Sequence, residues 1–518
     1  MLVKTFAAAT YGVDAQIITV EVNAGGMVPA GKIGYYLVGL PDNAVRESYQ
    51  RIEAAIKNSG MAFPRIKTTV NLAPADIRKE GAAYDLPIAI GILAALESIV
   101  PDALGNFLIL GELSLDGEIK PIKGALPIAI QARKEGFSGF ILPKANAREA
   151  AIVNDLDVYG VRTLKEVVDF LNGDLNIQKT SVNTREEFFD NHEDYIDDFS
   201  DVKGQENIKR ALEIAAAGGH NVILIGPPGA SKTMLAKRLP TILPGLTLKE
   251  ALETTKIHSV AGILPSDSAL ITRRPFRSPH HTISDVALVG GGTNPRPGEI
   301  SLAHNGVLFL DELPEFKRDA LEVMRQPMEE RRVTISRARQ TIDYPASLML
   351  IASMNPCPCG YYNHPEKDCV CAPGLVKKYL NKISGPLLDR IDLHVEVTPV
   401  SYDKLSDYGQ EPEPSSKIRE RVEAARKVQE DRFSELKDIY CNAQMPGKMV
   451  REVCVLNAAG ISLLKAAMNK LQLSARAYDR ILKVSRTIAD LEKSQDIRIE
   501  HLAEAIHFRS LDRESWAG

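Results

Sequence analysis

The stretch HNVILIGPPGASKT, residues 220–233, decides the fold of this chain. Its apolar run VILI predicts a strand buried on both faces, which is typical of a parallel sheet. The run breaks at GPPG, and MLAKRL at residues 234–239 predicts a helix. Strand, glycine-rich turn, Lys-Thr and helix together are the pattern of a phosphate-binding loop. The alternative is an ordinary turn that happens to contain Lys-Thr.

The phosphate loop assigns roles to its side chains. We expect Lys232 to reach the β- and γ-phosphates and the Thr233 hydroxyl to bind Mg²⁺, while backbone N–H groups face the anion. The second glycine of the pattern G-x-x-x-x-G-K-[ST] is replaced by Ser231, whose small side chain is expected to fit.

Two later apolar runs complete the nucleotide pattern. GVLFLDE at 306–312 ends in two acids: Asp311 is expected in the Mg²⁺ shell, and Glu312 is expected to polarise the attacking water. LMLIASMN at 348–355 ends in Asn355, which suits the γ-phosphate or the lytic water. The sequence therefore predicts ATP and Mg²⁺ as cofactors. The residues predicted to bind them are Gly226, Pro227, Pro228, Gly229, Ala230, Ser231, Lys232, Thr233 and Asp311.

Composition limits the classes of protein that remain. The 518 residues predict two to four domains, and the net charge of −4 argues against a chain that is basic throughout. Any contact with nucleic acid must then come from local basic patches. The first ten residues are too short and weakly flanked for a signal peptide, and no apolar run reaches membrane-spanning length. We expect a cytoplasmic protein without a membrane partner.

Residues 1–175 predict a mixed α/β domain. Strands are expected at 17–22, 67–72 and 107–110, and helices at 86–95 and 128–135. Asp42 is predicted to cap a further helix that closes at Gly60.

The remaining boundaries follow from composition. Residues 176–201 are rich in carboxylates and predict a solvated linker; an acidic tether that mimics DNA charge is the alternative. Residues 202–400 hold the nucleotide motifs, 401–416 form a second linker, and 417–518 predict a helical domain.

Three stretches of the first domain resemble the proteolytic domain of the Lon family, which has a ribosomal S5 domain 2-like fold. They are GAAYD at 81–85, GELSLDGEIKPI at 111–122 and GFSGFILPK at 136–144. In that family a serine and a lysine form a catalytic dyad. The serine position falls on Ala83 and the lysine position on Leu126, so the resemblance implies a retained scaffold without Ser-Lys protease chemistry.

Residues 202–400 resemble AAA+ ATPases of the magnesium-chelatase type. The whole chain resembles the ComM/YifB family, most specifically in MNPCPCG at 354–360 and PLLDRIDLH at 386–394. The resemblance implies an α/β AAA+ core with a helical lid, in a homo-oligomeric ring expected to be a hexamer. It makes Asn355 sensor 1, Arg390 the finger that reaches a neighbour's ATP, and Arg476 the sensor 2 arginine. An ion pair of Arg390 with Asp389 or Asp392 is the alternative for that residue, and Arg480 is the alternative to Arg476. The catalytic residues are thus predicted to be Glu312, Asn355, Arg390 and Arg476.

Two basic segments lie between these motifs. RRVTISRAR at 331–339 alternates like a β-hairpin arm, and RRPFRSPHH at 273–281 precedes a flexible GGG at 290–292. The resemblance implies that both face the pore of the ring, where arginines would bind phosphates of single-stranded or branched DNA without reading sequence. Contacts with acids of an adjacent subunit are the alternative. The predicted DNA-binding residues are Arg331, Arg332, Arg337, Arg339, Arg273, Arg274 and Arg277.

The resemblance implies an ATP-driven motor for branch migration or helicase action on recombination intermediates. The alternatives are a chelatase-type motor that inserts Mg²⁺ into a porphyrin and a regulatory ATPase that does not act on DNA. Forked or four-way DNA separates them, because only a DNA motor should turn over ATP faster in its presence.

Four cysteines are bunched in one loop. Cys357, Cys359, Cys369 and Cys371 can close a tetrahedral structural zinc site, and four thiolates would leave no open position for catalysis. Reduced, partly buried thiols are the alternative. His280 and His281 are expected to pack or bond locally.

Overall fold

The structure is a computed structural model that describes residues 1–28, 34–63, 66–190, 196–265, 268–292, 295–337, 340–362, 364, 366–399, 412–436 and 439–509. The chain forms two compact units. The first comprises Met1–His192 with Leu248–Thr272, and the second comprises Glu193–Thr247 with Arg273–Gly518. Among the described residues, no helix combines the length and the apolar character that crossing a bilayer requires.

A seven-stranded mixed sheet organises the first unit. Its order is β3-β4-β2-β1-β5-β8-β9; β1/β2 and β2/β4 pair antiparallel and the other neighbours pair parallel. The strands of this unit are β1 Leu2–Tyr11, β2 Asp14–Met27, β3 Tyr35–Val38, β4 Ile66–Ala73, β5 Phe107–Ile109, β6 Glu112–Leu113, β7 Ile119–Lys120, β8 Gly139–Pro143 and β9 Asp157–Val161. The strands predicted at 17–22, 67–72 and 107–110 are confirmed as parts of β2, β4 and β5.

Helices cover this sheet. They are α1 Asn43–Arg46, α2 Ser48–Asn58, α3 Asp85–Ala95, α4 Ala125–Lys134, α5 Ala147–Ala150, α6 Leu164–Asn172 and α7 Thr184–Asp190. Asp42 accepts the Val45 N–H at 2.8 Å as predicted, but the helix behind it divides at Glu47 into α1 and α2. Every residue of α3 is buried, and a Cβ on its Gly91 would lie 2.6 Å from Val22 Cγ2, so only glycine allows this close approach to the sheet.

One helix of the first unit comes from a distant part of the sequence. Helix α10, Leu248–Ala261, follows the phosphate loop in the chain, yet it packs on α4 of the first unit. The Ser259 carbonyl accepts the Gly124 N–H at 3.0 Å, and the Ser259 hydroxyl bonds the buried Glu149 carboxylate. The sequence assigned this segment to the ATPase core, because motif order does not reveal where an insertion packs.

A five-stranded parallel sheet, with order β11-β14-β17-β10-β18, organises the second unit. Its strands are β10 Val222–Ile225, β11 Phe276–Arg277, β14 Val307–Leu310, β17 Met349–Met354 and β18 Leu393–Glu396. All residues of β10, β14 and β17 are buried, as their uninterrupted apolar runs predict. Since the strands are parallel, their carboxyl ends meet at one edge, where the nucleotide motifs lie.

Two hairpins accompany the sheet: β12 Gly290–Gly291 with β13 Arg296–Pro297, and β15 Arg332–Arg337 with β16 Gln340–Pro345. The second is the predicted arginine-bearing arm. Its Arg337 pairs in register with Gln340 and closes the hairpin, whereas Arg339 lies outside the described residues.

The helices of the second unit include the predicted helical domain near the end of the chain. They are α8 Glu206–Gly218, α9 Lys232–Arg238, α11 Asp285–Val289, α12 Glu299–Leu302, α13 Arg318–Glu322, α14 Arg325–Glu330, α15 Pro373–Leu380, α16 Gly385–Leu388, α17 Ser415–Phe433, α18 Gly447–Val453, α19 Ala458–Lys470, α20 Ala475–Leu491 and α21 Ile499–His507. The Ser474 side chain caps α20 by accepting the Ala477 N–H. We call α17 to α21 the lid.

The two predicted linkers differ in what the structure describes. Within the acidic one, residues 184–190 form α7, and Glu187 pairs with Arg148 at 3.1 Å. Most of the second, residues 401–411, lies outside the described residues.

Candidate nucleotide site

The phosphate loop has the backbone shape that its motif requires. Gly229 has φ +80°, and Ser231 has φ 62° and ψ 18°, a left-handed conformation normally reserved for glycine. Ser231 therefore takes the conformation of the glycine that it replaces, and Lys232 opens α9 directly after it.

Lys232 is held at the centre of the site. Its Nζ donates to the carbonyls of Gly226 at 2.6 Å and Pro227 at 2.9 Å, and to Asn355 Oδ1 at 3.1 Å. Burial lowers the pKa of Lys232 to about 8, although Asp311 favours its charged form. The site thus holds a desolvated ammonium group that an incoming phosphate can pair with.

Thr233 and Asp311, the two predicted Mg²⁺ ligands, are hydrogen-bonded to each other. Thr233 Oγ1 donates to Asp311 Oδ2 at 2.7 Å, and the Ser353 hydroxyl bonds Asp311 Oδ1. A hydroxyl and a carboxylate oxygen in contact are a donor set that Mg²⁺ accepts together with water and phosphate. The sequence analysis did not identify Ser353 as a site residue. Its position two residues before Asn355 could have indicated it, because residues at that spacing along a strand lie on the same face.

Glu312 lies beside Asp311 with a different environment. Its φ is 53°, its side chain is 56% exposed, and its Oε2 lies 3.4 Å from His281 Nδ1. An exposed carboxylate that follows a buried strand is placed to orient a water molecule. His280 Nδ1 lies 2.9 Å from the Thr282 hydroxyl, a local contact of the predicted kind, whereas His281 lies beside the carboxylate that is predicted to polarise the water.

Asn355 joins the end of β17 to the cysteine loop. Five residues later, Gly360 has φ +84°, and a Cβ there would lie 2.5 Å from Pro228 Cδ. The cysteine loop therefore packs directly on the phosphate loop, and glycine is required at that contact.

The structure places the two predicted lid and finger arginines differently. Arg390 is buried, and its Nη2 lies 2.7 Å from Glu329 Oε1, so its partner is neither Asp389 nor Asp392. Asp392 instead pairs with Arg480 at 2.7 Å. Burial alone would raise the pKa of Asp392, but Arg480 and His220 hold it well below its ordinary value. Arg476, on the first turn of α20, is exposed.

The first basic segment is engaged within the protein. Arg277 makes a two-pronged ion pair with Glu299, at 2.6 and 2.7 Å, and lies on the edge strand β11. Arg274 donates to the carbonyls of Pro244 at 2.6 Å and Asn305 at 2.8 Å. These contacts stabilise the edge of the sheet, whereas the sequence suggested basic groups turned toward a ligand.

The hairpin arm has anchored residues at its base. Arg331 Nη2 donates to the Gln444 carbonyl of the lid at 3.2 Å. The exposed Arg332 lies 3.3 Å from Glu330 and 3.7 Å from Asp343. The base of the arm is thus tied down by contacts within the chain.

The four cysteines converge. Their sulfur atoms all lie within 4.8 Å of one another, and Cys357 Sγ is 3.3 Å from Cys359 Sγ and 3.7 Å from Cys369 Sγ. In a tetrahedral zinc–thiolate site with bonds of about 2.3 Å, neighbouring sulfurs are roughly 3.8 Å apart. The arrangement fits the ion.

The first unit retains the Lon-like motifs without their reactive groups. Leu126 is fully buried, and its N–H donates to Glu149 at 3.0 Å. Asp85 accepts from Arg51 at 2.6 and 3.0 Å and from the Leu113 N–H at 3.3 Å, which links two of the motif stretches. Burial raises the pKa of Asp85 to about 6 despite Arg51. The retained polar residue therefore holds the scaffold together.

Comparisons with known proteins identify the families that the chain resembles. The family described as magnesium chelatase, subunit ChlI, matches residues 198–405, its C-terminal part matches 412–509, and a further ChlI family matches 20–146. Over 514 residues, the chain is 44% identical to the competence protein ComM of Haemophilus influenzae, which covers 99% of this chain and 98% of that protein. The chain belongs to the ComM/YifB family.

Two further relatives support the assignment of both units. The Escherichia coli protein YifB is 44% identical over 507 residues, covering 98% of this chain and 96% of that protein. Lon protease 2 of Bacillus subtilis is 30% identical over 154 residues, covering 27% of this chain and 26% of that protein. This ComM/YifB member therefore combines a Lon-like segment with a magnesium-chelatase-like AAA+ ATPase.

Proposed function

We propose that this chain is an ATP-hydrolysing ring motor that acts on single-stranded or branched DNA, by branch migration or helicase action on recombination intermediates. The observation that carries the proposal is an arginine-bearing hairpin in the same compact unit as the candidate nucleotide site. Similarity to a protein named for competence supports a role in transformation or recombination.

In the proposed ATP chemistry, Lys232 pairs with the β- and γ-phosphates and Thr233 and Asp311 hold Mg²⁺. Glu312 orients the attacking water, and Asn355, which contacts Lys232, senses the γ-phosphate. Arg476 is exposed at the start of a lid helix and is proposed to approach the same nucleotide.

Contact with DNA is assigned to the end of the arm. Arg331 and Arg332 have partners at its base, and Arg274 and Arg277 have partners at the sheet edge. We propose that Arg337, at the last residue of β15, and Arg339, which lies outside the described residues, make the first phosphate contacts. An arginine on phosphate positions DNA without reading its sequence.

The test is titration of fluorescent forked DNA at several salt concentrations, with ATP turnover measured in parallel. The double variant Arg337→Ala with Arg339→Ala should reduce the slope of log K for DNA binding against log[salt] by up to roughly two units. It should also reduce the stimulation of ATP turnover by DNA, while ATP turnover without DNA persists. Arg332→Ala is the matched control and should change the slope less. An unchanged salt slope, together with full stimulation of ATP turnover by DNA, would contradict DNA binding by the hairpin arm.

The same measurement separates the DNA motor from a chelatase-type motor. The family matches to magnesium chelatase favour that alternative. A wild-type protein whose ATP turnover ignores forked and four-way DNA would support it, or a regulatory ATPase, instead.

The AAA+ family match supports a homo-oligomer, which we expect to be a hexameric ring in which Arg390 acts in trans. Mixing Arg390→Ala subunits with Lys232→Ala subunits should restore some turnover at mixed interfaces. Absence of recovery across a range of ratios, with mixed assembly verified, would contradict the finger role.

Zinc is proposed for Cys357, Cys359, Cys369 and Cys371, where it would close the loop as a structural ion. Metal analysis of protein purified without chelator should find about one equivalent per chain. Cys357→Ser with Cys369→Ser should remove it, whereas Cys441→Ser, a buried cysteine elsewhere, should not. Well-folded protein that contains no metal would contradict the zinc site and support four reduced thiols instead.

A further inference from the structure

Arg390 is enclosed within its own subunit. Its side chain is 4% exposed; Nη2 lies 2.7 Å from Glu329 Oε1, and Nη1 donates to the Pro386 carbonyl at 2.5 Å. Within the described residues, its Nε is buried and has no hydrogen-bond partner. A guanidinium uses its planar fork to bind a phosphate, so Arg390 cannot reach a neighbour's nucleotide while these contacts last.

Glu329 belongs to the base of the arginine-bearing arm. It lies on the last turn of α14, and β15 begins at Arg332, only three residues later. Between them, Arg331 has φ 55° and contacts the lid through the Gln444 carbonyl. The partner of Arg390 is therefore only three residues from the first residue of the arm.

The two partners differ in exposure, and this difference makes release feasible. The Glu329 side chain is 45% exposed, against 4% for Arg390. When the pair separates, the carboxylate regains water at once, while the guanidinium needs a new anion. A phosphate group of a neighbouring nucleotide is such an anion.

We propose that Glu329 is a latch that holds Arg390 inside its own subunit until DNA displaces the arm. Glu329 is then a positioning residue: it sets the availability of the finger without touching ATP. The inference rests on the proposed function, since it needs Arg390 to act in trans and the arm to meet DNA. It explains how DNA at the arm could accelerate ATP turnover at a distant site.

The decisive measurement is ATP turnover without DNA in Glu329→Ala and in the isosteric Glu329→Gln. If the latched state is favoured about tenfold, Glu329→Ala should raise this turnover by about tenfold and bring the DNA stimulation ratio close to one. Glu329→Gln should give a smaller rise, because the amide oxygen still accepts a hydrogen bond. Glu330→Gln is the matched control: it removes the adjacent charge, whose partner is Arg332, and should leave DNA-free turnover unchanged.

A double variant tests whether the rise in DNA-free ATP turnover depends on Arg390. Glu329→Ala with Arg390→Ala should lose the gain entirely. Turnover in Glu329→Gln at or below wild type, with an unchanged melting temperature, would overturn the latch.

Failure of the latch and failure of the proposed function give different results. If forked DNA stimulates the wild type and Arg390→Ala is inactive, yet Glu329 variants keep wild-type DNA-free turnover, only the latch is rejected. If Arg390→Ala retains full turnover, the finger role and the latch fail together.

Discussion

The chain contains two places where a related protein would do chemistry, and they differ in the side chains at the reacting positions. In the first unit, the dyad positions carry Ala83 and Leu126, and Leu126 is packed in the core. In the second, Lys232 donates to Asn355 and Thr233 donates to Asp311. Motif resemblance was strong in both. Only the side chains at the reacting positions separate a scaffold from a catalytic centre.

The largest effect should come from two substitutions in the candidate nucleotide site of the second unit, which affect hydrolysis and binding separately. Glu312→Gln should lower kcat for ATP by about 100-fold or more while ATP still binds, because the amide keeps the shape but cannot polarise water. Lys232→Ala should instead weaken ATP binding by about 10- to 100-fold, since a buried charged donor is lost. Calorimetry with ATP and a steady-state ATPase assay separate the two. Equal loss of binding in both variants would contradict the assigned roles.

Restoring a serine and a lysine at the dyad positions of the first unit should lower the stability of the protein without producing peptidase activity. Leu126→Lys places an ammonium in a fully buried position, so it should lower the free energy of unfolding by about 3 kcal/mol or more. Ala83→Ser, at a partly exposed site, should change it by no more than about 0.5 kcal/mol. Thermal denaturation of the full chain compares them. A stable double variant with peptidase activity would show that the scaffold is still catalytically competent.

The buried lysine of the second centre also predicts a pH dependence. The pKa of Lys232 is about 8 without nucleotide, and bound phosphates raise it, so binding above pH 8 requires proton uptake. The Kd for ATP should therefore be level below pH 8 and rise by about tenfold per pH unit above it. Fluorescent-nucleotide titrations from pH 7 to 9.5 measure this. Lys232→Arg, which stays charged, should flatten the rise; a wild-type Kd independent of pH would place the pKa elsewhere.

The smallest effect should come from the departure in the loop motif. Ser231 holds a left-handed conformation that glycine adopts without steric cost. Ser231→Gly should thus stabilise the native loop by up to about 1 kcal/mol, offset by the greater freedom of glycine in the unfolded chain. Chemical denaturation and ATP affinity should both stay close to wild type. A marked loss of ATP binding would mean that the Ser231 side chain itself serves the site.

The local elements were largely predictable from the sequence. Apolar runs located β10, β14 and β17, and the cap residue Asp42 marked the start of a helix. The reason is that burial on both faces of a parallel strand, and the capping of free N–H groups, act over a few neighbouring residues. The proximity of Thr233 to Asp311 agrees with the two motifs that predict a shared Mg²⁺ site.

The rest depended on contacts between residues far apart in sequence. Nothing local indicates that α10 packs in the first unit, that Glu299 pairs with Arg277, or that Glu329 encloses Arg390. The arginine patterns looked equally basic in the sequence, and only the tertiary structure distributed them among sheet edge, lid contact and buried pair. The sequence by itself determined which chemistry each residue type can perform; the tertiary structure decided which partner each charge meets, because electrostatic pairing and burial depend on distance in space.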